Sequence, residues 1–367
     1  MKALILTHTL NTGGAERVGA NIANGLDELG WDVIVLANNK GDIAYPLNDK
    51  IKLEWFNTGH GNRLVNGFRV VRQLINTINN EKPDVIIEIL HVFPHELLIA
   101  RKFAKWNAPL IITEHDSYER PESAPMSKYL YYKKWILDKA FDFVTVLTEA
   151  DKKYINGRLK NVHVMYNPLF LSPLKKLPAK ENTILSVGRL DAWHYKGFDV
   201  LISAWKDISQ IYPDWKLKII GAGSNKTKIF LSEAAKGIKN IEFSDYTTDI
   251  VEEYKKASIY CLSSRYEGWG LVMVEAMSQG CATIACDYNG RQAECITDGF
   301  DGILCSPDNV NALKEKMILL ISDSQKRLNI QKNAMLTSEK FRYDNVARNW
   351  DKFLRPAICE WRQKHKQ

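Results

Sequence analysis

Long apolar runs are missing from this chain. No stretch reaches the ~18–20 residues that cross a bilayer as a helix, so a membrane-spanning segment is not expected. The opening residues, Met1-Lys2-Ala3-Leu4-Ile5-Leu6-Thr7-His8, are too short for a secretory leader and carry no small-residue cleavage site. They read as a buried first strand, and the chain as cytoplasmic or peripheral on the cytoplasmic face of the inner membrane. Cysteine is scarce: six in 367 residues, all in the second half, none paired as Cys-x-x-Cys. Several sit in apolar runs such as Ile259-Tyr260-Cys261-Leu262, which points to buried, reduced thiols rather than disulfides or zinc. No Asp-x-Asp, His-Glu-x-x-His or Gly-x-Ser-x-Gly occurs. Charge of one sign is not in large excess. The net charge of +7 fits an anionic ligand or an anionic membrane surface, but is too small to argue for nucleic acid. Repeats and low-complexity tracts are absent, and 45% hydrophobic with 25% charged residues is ordinary globular composition.

What is present is a double series of short apolar strands and helical stretches. The first series has strands at Lys2–Thr7, Asp32–Ala37, Asp84–Leu90, Leu110–Thr113, Phe143–Leu147 and Val162–Met165. A Pro-rich break follows at Asn167-Pro168, Ser172-Pro173 and Leu177-Pro178. The series restarts with Thr183–Val187, Lys216–Ile220, Asn240–Phe243, Ser258–Leu262, Ala282–Ala285 and Gly302–Leu304, and the chain ends in helix from about Asn309 to Trp361. Strands alternating with helices predict α/β architecture with parallel sheets covered on both faces. The expected division is two Rossmann-like doubly wound domains, 1–170 and 171–345, facing a cleft. A C-terminal helix, 346–367, is expected to pack back toward the first domain. Ligands of such sheets bind at the carboxyl ends of the strands.

Four groups of residues fall at those ends. In Ser263-Ser264-Arg265-Tyr266-Glu267-Gly268-Trp269-Gly270-Leu271-Val272-Met273-Val274-Glu275, a strand runs through a Gly-containing loop into a helix. The free N–H groups there suit phosphate, and the flanking carboxylates Glu267 and Glu275 suit sugar hydroxyls. Gly188-Arg189 follows the first strand of the second series, and Lys196-Gly197 opens the next helix. That guanidinium and ammonium are placed for a diphosphate. Thr12-Gly13-Gly14-Ala15-Glu16-Arg17 follows the first strand of all, and His115 follows the strand Leu110–Thr113 in Glu114-His115-Asp116. Ile220-Gly221-Ala222-Gly223 starts like a dinucleotide fingerprint, but Lys226 stands where the third glycine belongs. A further stretch, Lys128-Tyr129-Leu130-Tyr131-Tyr132-Lys133-Lys134-Trp135-Ile136-Leu137, mixes lysines with interfacial aromatics as an anionic lipid surface would require, or as an ordinary amphipathic helix does.

Taken together, Gly-Gly-Ala-Glu-Arg near the start, Glu-His-Asp mid-domain, Gly-Arg-Leu…Lys-Gly after the break and Glu-x7-Glu resemble the retaining glycosyltransferases of family 4, with the GT-B fold. Gly13–Arg17 and Tyr288-Asn289-Gly290 are similar to members that extend bacterial lipid-linked glycans, O antigens or capsules. The resemblance implies roles. Arg189 and Lys196 hold the donor diphosphate, and Glu275 takes the ribose hydroxyls. Glu267 and His115 lie by the transferred sugar. Gly13, Gly14, Gly188, Gly221, Gly268, Trp269, Gly270, Leu271 and Val272 border the donor, and Glu16, Arg17 and Asp116 lie on the acceptor side. The implied donor is a UDP-linked hexose or N-acetylhexosamine. The implied acceptor is a glycan or lipid-linked glycan, with no metal and no cofactor beyond the nucleotide-sugar substrate. The family usually places the lysine about five residues after the arginine, whereas here the separation is seven. An epimerase of the same fold, a phosphorylase and a non-catalytic sugar-nucleotide-binding protein remain alternatives.

Overall fold

The computed structural model describes residues 1–11, 14–38, 41, 43–58 and 62–365. These divide into two compact units, one of Met1–Pro168 together with the chain from Tyr343 onward, the other of Leu169–Arg342.

In the first unit the described strands are β1 (Lys2–Thr7), β2 (Asp32–Ala37), β3 (Lys52–Trp55), β4 (Val85–Ile89), β5 (Leu110–Thr113), β6 (Phe143–Val146) and β7 (Val162–Val164). They form one sheet in the order β3-β2-β1-β4-β5-β6-β7, parallel throughout. The crossovers carry α1 (Gly14–Glu28), α2 (Arg63–Glu81), α3 (Pro94–Phe103), α4 (Lys128–Tyr132) and α5 (Glu149–Ile155). Apolar side chains line both faces. Leu4, Leu6, Ile86 and Ile112 pack with α2 and α3 residues such as Val70, Leu74 and Leu97. Ala3, Ile5, Val33 and Ile87 pack with Val18, Ile22 and Leu26 of α1. Burial on both sides is why these strands read as unbroken apolar runs rather than alternating ones. The edge strand β3 was not expected. Its sequence, Lys-Leu-Glu-Trp, is only half buried and pairs on one side alone.

The second unit repeats the winding. Its strands are β8 (Glu181–Val187), β9 (Lys216–Ile220), β10 (Ile241–Ser244), β11 (Ala257–Leu262), β12 (Ala282–Cys286) and β13 (Ile303–Cys305), in the parallel order β10-β9-β8-β11-β12-β13. The helices are α6 (Phe198–Ile211), α7 (Asn225–Ala234), α8 (Ile250–Lys256), α9 (Leu271–Ser278), α10 (Val310–Ser322) and α11 (Ser324–Ser338). In both sheets the order of strand addition reverses between the first and fourth strands, β1/β4 and β8/β11. In open α/β sheets a crevice opens at that switch, outside the strands' carboxyl ends.

The helical end of the chain is three helices rather than one. The last, α12 (Tyr343–His365), packs on α1 within the first unit. A methyl on Gly25 would lie 2.4 Å from Cβ of Ala347, so glycine permits that approach. Trp31 Nε1 donates to Asp351 (2.6 Å) and Arg362 pairs with Asp84 (2.5 Å). Among the described residues the cysteines are free thiols, five buried and Cys359 exposed. No described helix is long and apolar enough to cross a membrane.

Candidate active site

In the second unit two loops meet at the β8/β11 switch. After β8, Gly188 N–H donates to Ile220 O (3.0 Å) and Leu190 N–H to Ala222 O (2.8 Å), so the turns after β8 and β9 are laced together. Gly221 makes this possible, because a Cβ there would sit 1.8 Å from Gly188 O. Its observed task is close backbone packing. The Arg189 side chain stands exposed and makes no hydrogen bond or ion pair among the described residues. A guanidinium free of hydrogen bonds at a strand's carboxyl end keeps its fork of N–H donors open to an anion.

Lys196 and Gly197 are locked onto the loop after β11. Gly197 has φ +65°, and a Cβ would fall 2.0 Å from Ser263 O, so only glycine fits. Ser263 Oγ donates to Lys196 O (2.8 Å), and Arg265 N–H to Tyr195 O (3.0 Å). Arg265 also donates to His194 O (2.6 Å) and forks onto Asp199 at 2.8 and 2.7 Å. Held this way, Lys196 Nζ donates to Glu267 Oε2 at 2.8 Å, Ser264 Oγ to the same oxygen at 3.0 Å, and Tyr195 OH to Glu267 Oε1 at 2.9 Å. Thus Lys196 and Glu267, far apart in sequence, form one ion pair beneath Arg189's loop.

The same loop passes through buried Gly268 and turns at Gly270 (φ +88°) into α9. Met273 N–H closes onto Gly270 O (2.9 Å), which leaves the N–H groups of Leu271 and Val272 as the orphan donors of the first turn. Glu275, one turn on, is 4% exposed and accepts from Tyr254 OH (3.2 Å). Its carboxylate is therefore enclosed rather than turned to solvent. Trp269 turns its ring inward, 5.0 Å edge-on to Phe341 and 1% exposed, so the part of Trp269 left for a donor is main chain.

In the first unit, Gly13 lies outside the described residues. Gly14 opens α1 with nothing within 4 Å of where a Cβ would stand. Glu16 is half-buried, and desolvation raises its carboxyl pKa. Arg17 lies 5.2 Å over the Tyr45 ring. After β5, His115 Nδ1 meets Asn167 Oδ1 at 2.9 Å and Nε2 meets Thr113 Oγ1 at 2.9 Å. Enclosure pushes its pKa down to about 4, against smaller upward pulls from Asn167 and Glu114. It is a neutral hydrogen-bonding group near pH 7. Asp116 pairs with Arg120 and accepts from Ser117 N–H at 2.9 Å.

Sequence reasoning missed the network beneath this loop. His91, Glu114 and Asp138 are all buried, with ligand atoms within 4.8 Å of one another. His91 Nε2 meets Asp138 Oδ1 (2.7 Å) and Tyr118 OH donates to Asp138. Lys134 pairs with Glu114 and donates to Asp116 O (2.8 Å). The ammonium already answers the acids, so the cluster reads as an internal brace for Glu114-His115-Asp116. Lys134 thereby departs from the expected interfacial stripe: it is fully buried, and Trp135 and Leu137 go inward with it. The feature that would have flagged it is the π-turn at Lys133–Leu137, which sequence periodicity does not encode.

Two parallel doubly wound sheets, with cations, a helix N-terminus and carboxylates on the loops of the second one's switch, are the architecture of the GT-B fold, and the family matches make the class glycosyltransferases. Residues 172–337 match the family described as Glycosyl transferases group 1, and residues 12–172 match Glycosyltransferase Family 4. The chain is 29% identical over 348 residues to a glycosyltransferase of Haemophilus influenzae, covering 94% of this chain and 97% of that protein. It is 27% identical over 365 residues to the GalNAc-alpha-(1->4)-GalNAc-alpha-(1->3)-diNAcBac-PP-undecaprenol alpha-1,4-N-acetyl-D-galactosaminyltransferase of Campylobacter jejuni, covering 96% and 98%. Among solved structures, Anabaena HepE in complex with UDP and glucose superposes with TM-score 0.79 at 22% identity, covering 96% of this chain and 99% of that one. The chain belongs to the family 4 glycosyltransferases.

Proposed function

We propose that this chain transfers a hexosyl or N-acetylhexosaminyl group from a UDP-sugar to a glycan or lipid-linked glycan, retaining the anomeric configuration and using no divalent metal. The observation that carries the reading is the β8/β11 switch. The unpaired Arg189, Lys196 and the N–H groups of Leu271 and Val272 lie on its two loops, which is the provision a departing diphosphate needs. HepE was solved with UDP and glucose, and the Campylobacter relative is named for a lipid-diphosphate-linked acceptor; both support the choice of substrates.

In this reading the bond from the anomeric carbon to the diphosphate oxygen breaks first, and positive charge spreads over the sugar ring. Arg189, Lys196 and the start of α9 stabilise the negative charge gathering on the diphosphate. The acceptor oxygen bonds to the anomeric carbon on the face the diphosphate leaves, and its proton passes to the leaving phosphate oxygen. Glu275 receives ribose hydroxyls and Glu267 a hydroxyl of the transferred sugar. Gly13, Gly14, Gly188, Gly221, Gly268 and the main chain of Trp269 and Gly270 border the donor. His115, neutral and held by Thr113 and Asn167, lies by the transferred sugar, and exchanging one of these partners for a sugar hydroxyl is how it would act there. Glu16, Arg17 and Asp116 serve the acceptor.

The first unit is read as docking on an anionic membrane. His95, Ile99 and Phe103 of α3 form one exposed stripe, and Lys128, Tyr132 and Ile136 another. The His95 and Tyr132 rings stack at 5.9 Å and join the two. Lys102 and Lys139 are exposed beside them, and Leu64 and Phe68 project from α2 at 84% and 71% exposure.

The test is transfer itself. Nucleotide sugars that raise the melting temperature are offered with undecaprenyl-diphosphate-linked oligosaccharides, and the new linkage is read by NMR. An α-configured product from an α-linked donor is expected. A β product, or donor turnover with no acceptor present, overturns the reading.

A further inference from the structure

The segment between Arg189 and Lys196 folds as a 3-10 turn, Leu190–Ala192, followed by Trp193, His194 and Tyr195. Trp193 packs against Phe230 at 4.6 Å, and the main chain of His194 and Tyr195 is read by Arg265. That leaves the Tyr195 side chain pointing at Glu267, with its ring held edge-on by Tyr266 at 4.5 Å and the Lys196 ammonium 4.8 Å from its centroid.

A carboxylate has about four acceptor positions, two on each oxygen. On Glu267, Lys196 Nζ (2.8 Å) and Ser264 Oγ (3.0 Å) fill both positions of Oε2, and Tyr195 OH (2.9 Å) fills one of Oε1. One acceptor position remains. We propose that Tyr195 is a positioning residue of the donor site: its hydroxyl fixes Glu267 so that the carboxylate offers a single lone pair to one hydroxyl of the transferred sugar. This rests on the donor-site reading above. Without the Tyr195 hydroxyl the carboxylate rotates about the Lys196–Ser264 side and its free position is no longer aimed. The ring and its packing are a separate matter, since phenylalanine keeps both.

The experiment is calorimetric binding of UDP, and of whichever of UDP-glucose, UDP-galactose, UDP-N-acetylglucosamine and UDP-N-acetylgalactosamine binds the full chain most tightly. Four forms are compared: wild type, Tyr195→Phe, Glu267→Gln and the double variant. Tyr195→Phe is expected to leave UDP affinity within about twofold and to weaken the UDP-sugar about tenfold, the size of one aimed hydrogen bond to a charged acceptor. The double variant is expected to bind no worse than Glu267→Gln alone, because both act through one carboxylate. Equal weakening of UDP and UDP-sugar makes Tyr195 a structural prop and overturns the proposal. So does an additive double variant, or no change in either ligand. If Glu267→Gln itself leaves the UDP-sugar unaffected, the donor-site reading has failed and takes the proposal with it; melting curves confirm that each variant is folded.

Discussion

Glu88 sits at the end of β4 with its carboxyl fully buried. Phe93 N–H donates to Oε1 at 2.9 Å, and Oε2 has no partner among the described residues. Desolvation outweighs the backbone donors and pushes its pKa up to about 8 from an ordinary 4.5. The folded protein therefore holds a proton that the unfolded chain has released. The stability this group contributes is complete below its unfolded pKa and is lost as pH rises from 4.5 toward 8. His115 has the opposite sign: its contribution is complete above 6.5 and is lost as pH falls toward about 4. Between the two unfolded values the effects oppose each other; above 6.5, of this pair, Glu88 acts alone. Glu88→Gln mimics the protonated acid at all pH. The variant should gain on wild type by about 1.4 kcal/mol per pH unit across that range, measured from urea unfolding at pH 5, 6, 7 and 8. Parallel profiles would mean Glu88 is not protonated in the fold. Nothing in the sequence announces this residue, since a Glu inside Val-Ile-Ile-Glu-Ile-Leu reads only as part of a buried strand. The loop residues were more legible. Arg189 and Glu267 follow apolar strands, Lys196 precedes a helix, Glu275 lies inside α9, and all four belong to the elements at the β8/β11 switch. Direction was not legible: the Trp269 ring packs inward on Phe341 and Gly221 lies tight against Gly188, contacts set by residues distant in sequence.

Elements were readable wherever a strand is buried on both faces. Twelve runs located from sequence are strands to within two residues at either end; among the described strands β3 was missed, a short edge whose Lys52 and Glu54 interrupt any apolar run. The stretch over 128–140 was harder, because an α-turn, a π-turn and a 3-10 turn follow one another. The shift in pitch sorts its residues onto two faces. Lys134, Trp135, Leu137 and Asp138 go inward to brace the His115 loop, and Tyr129, Tyr131, Tyr132 and Ile136 stay outside at 38–63% exposure. An exposed aromatic row of this kind, flanked by Lys128 and Lys139, suits a bilayer interface, where each lysine near an anionic surface adds about 1 kcal/mol. Tyr131→Ser with Ile136→Ser should leave melting unchanged. The same pair should cut flotation with phosphatidylglycerol-containing liposomes several-fold, with little effect on the weak binding to neutral ones. If wild type does not float, or floats equally with neutral lipid, the surface serves another partner.

At the scale of the whole molecule the two sheets share one winding, yet their switch points differ in charge chemistry. Around β1 and β4 the first unit carries a buried, internally answered set: His91, Glu114, Asp138 and Lys134. Around β8 and β11 the second keeps Arg189 exposed and without a hydrogen bond among the described residues, with the Asp191 carboxylate in electrostatic reach, on the loop that also carries Lys196 to Glu267. The second arrangement has positive charge to spare for a diphosphate in Arg189. A charge-assisted hydrogen bond from such a group contributes roughly 1.5–3 kcal/mol, which is roughly 10–100-fold in rate if it is realised in the transition state. Two consequences separate fixed cations from a bound divalent ion. Arg189→Ala should lower kcat/KM about 10–100-fold, with Arg189→Lys recovering part of the loss because charge returns without the fork. Exhaustive EDTA treatment should leave wild-type transfer within about twofold, where a magnesium-clamped donor would lose nearly all of it. Both are read in one assay, UDP release coupled to product formation with and without chelator. Activity that vanishes in EDTA and returns with added magnesium would shift the diphosphate's neutralisation from Arg189 and the first turn of α9 to a metal, and the β8/β11 loops would then need a different task.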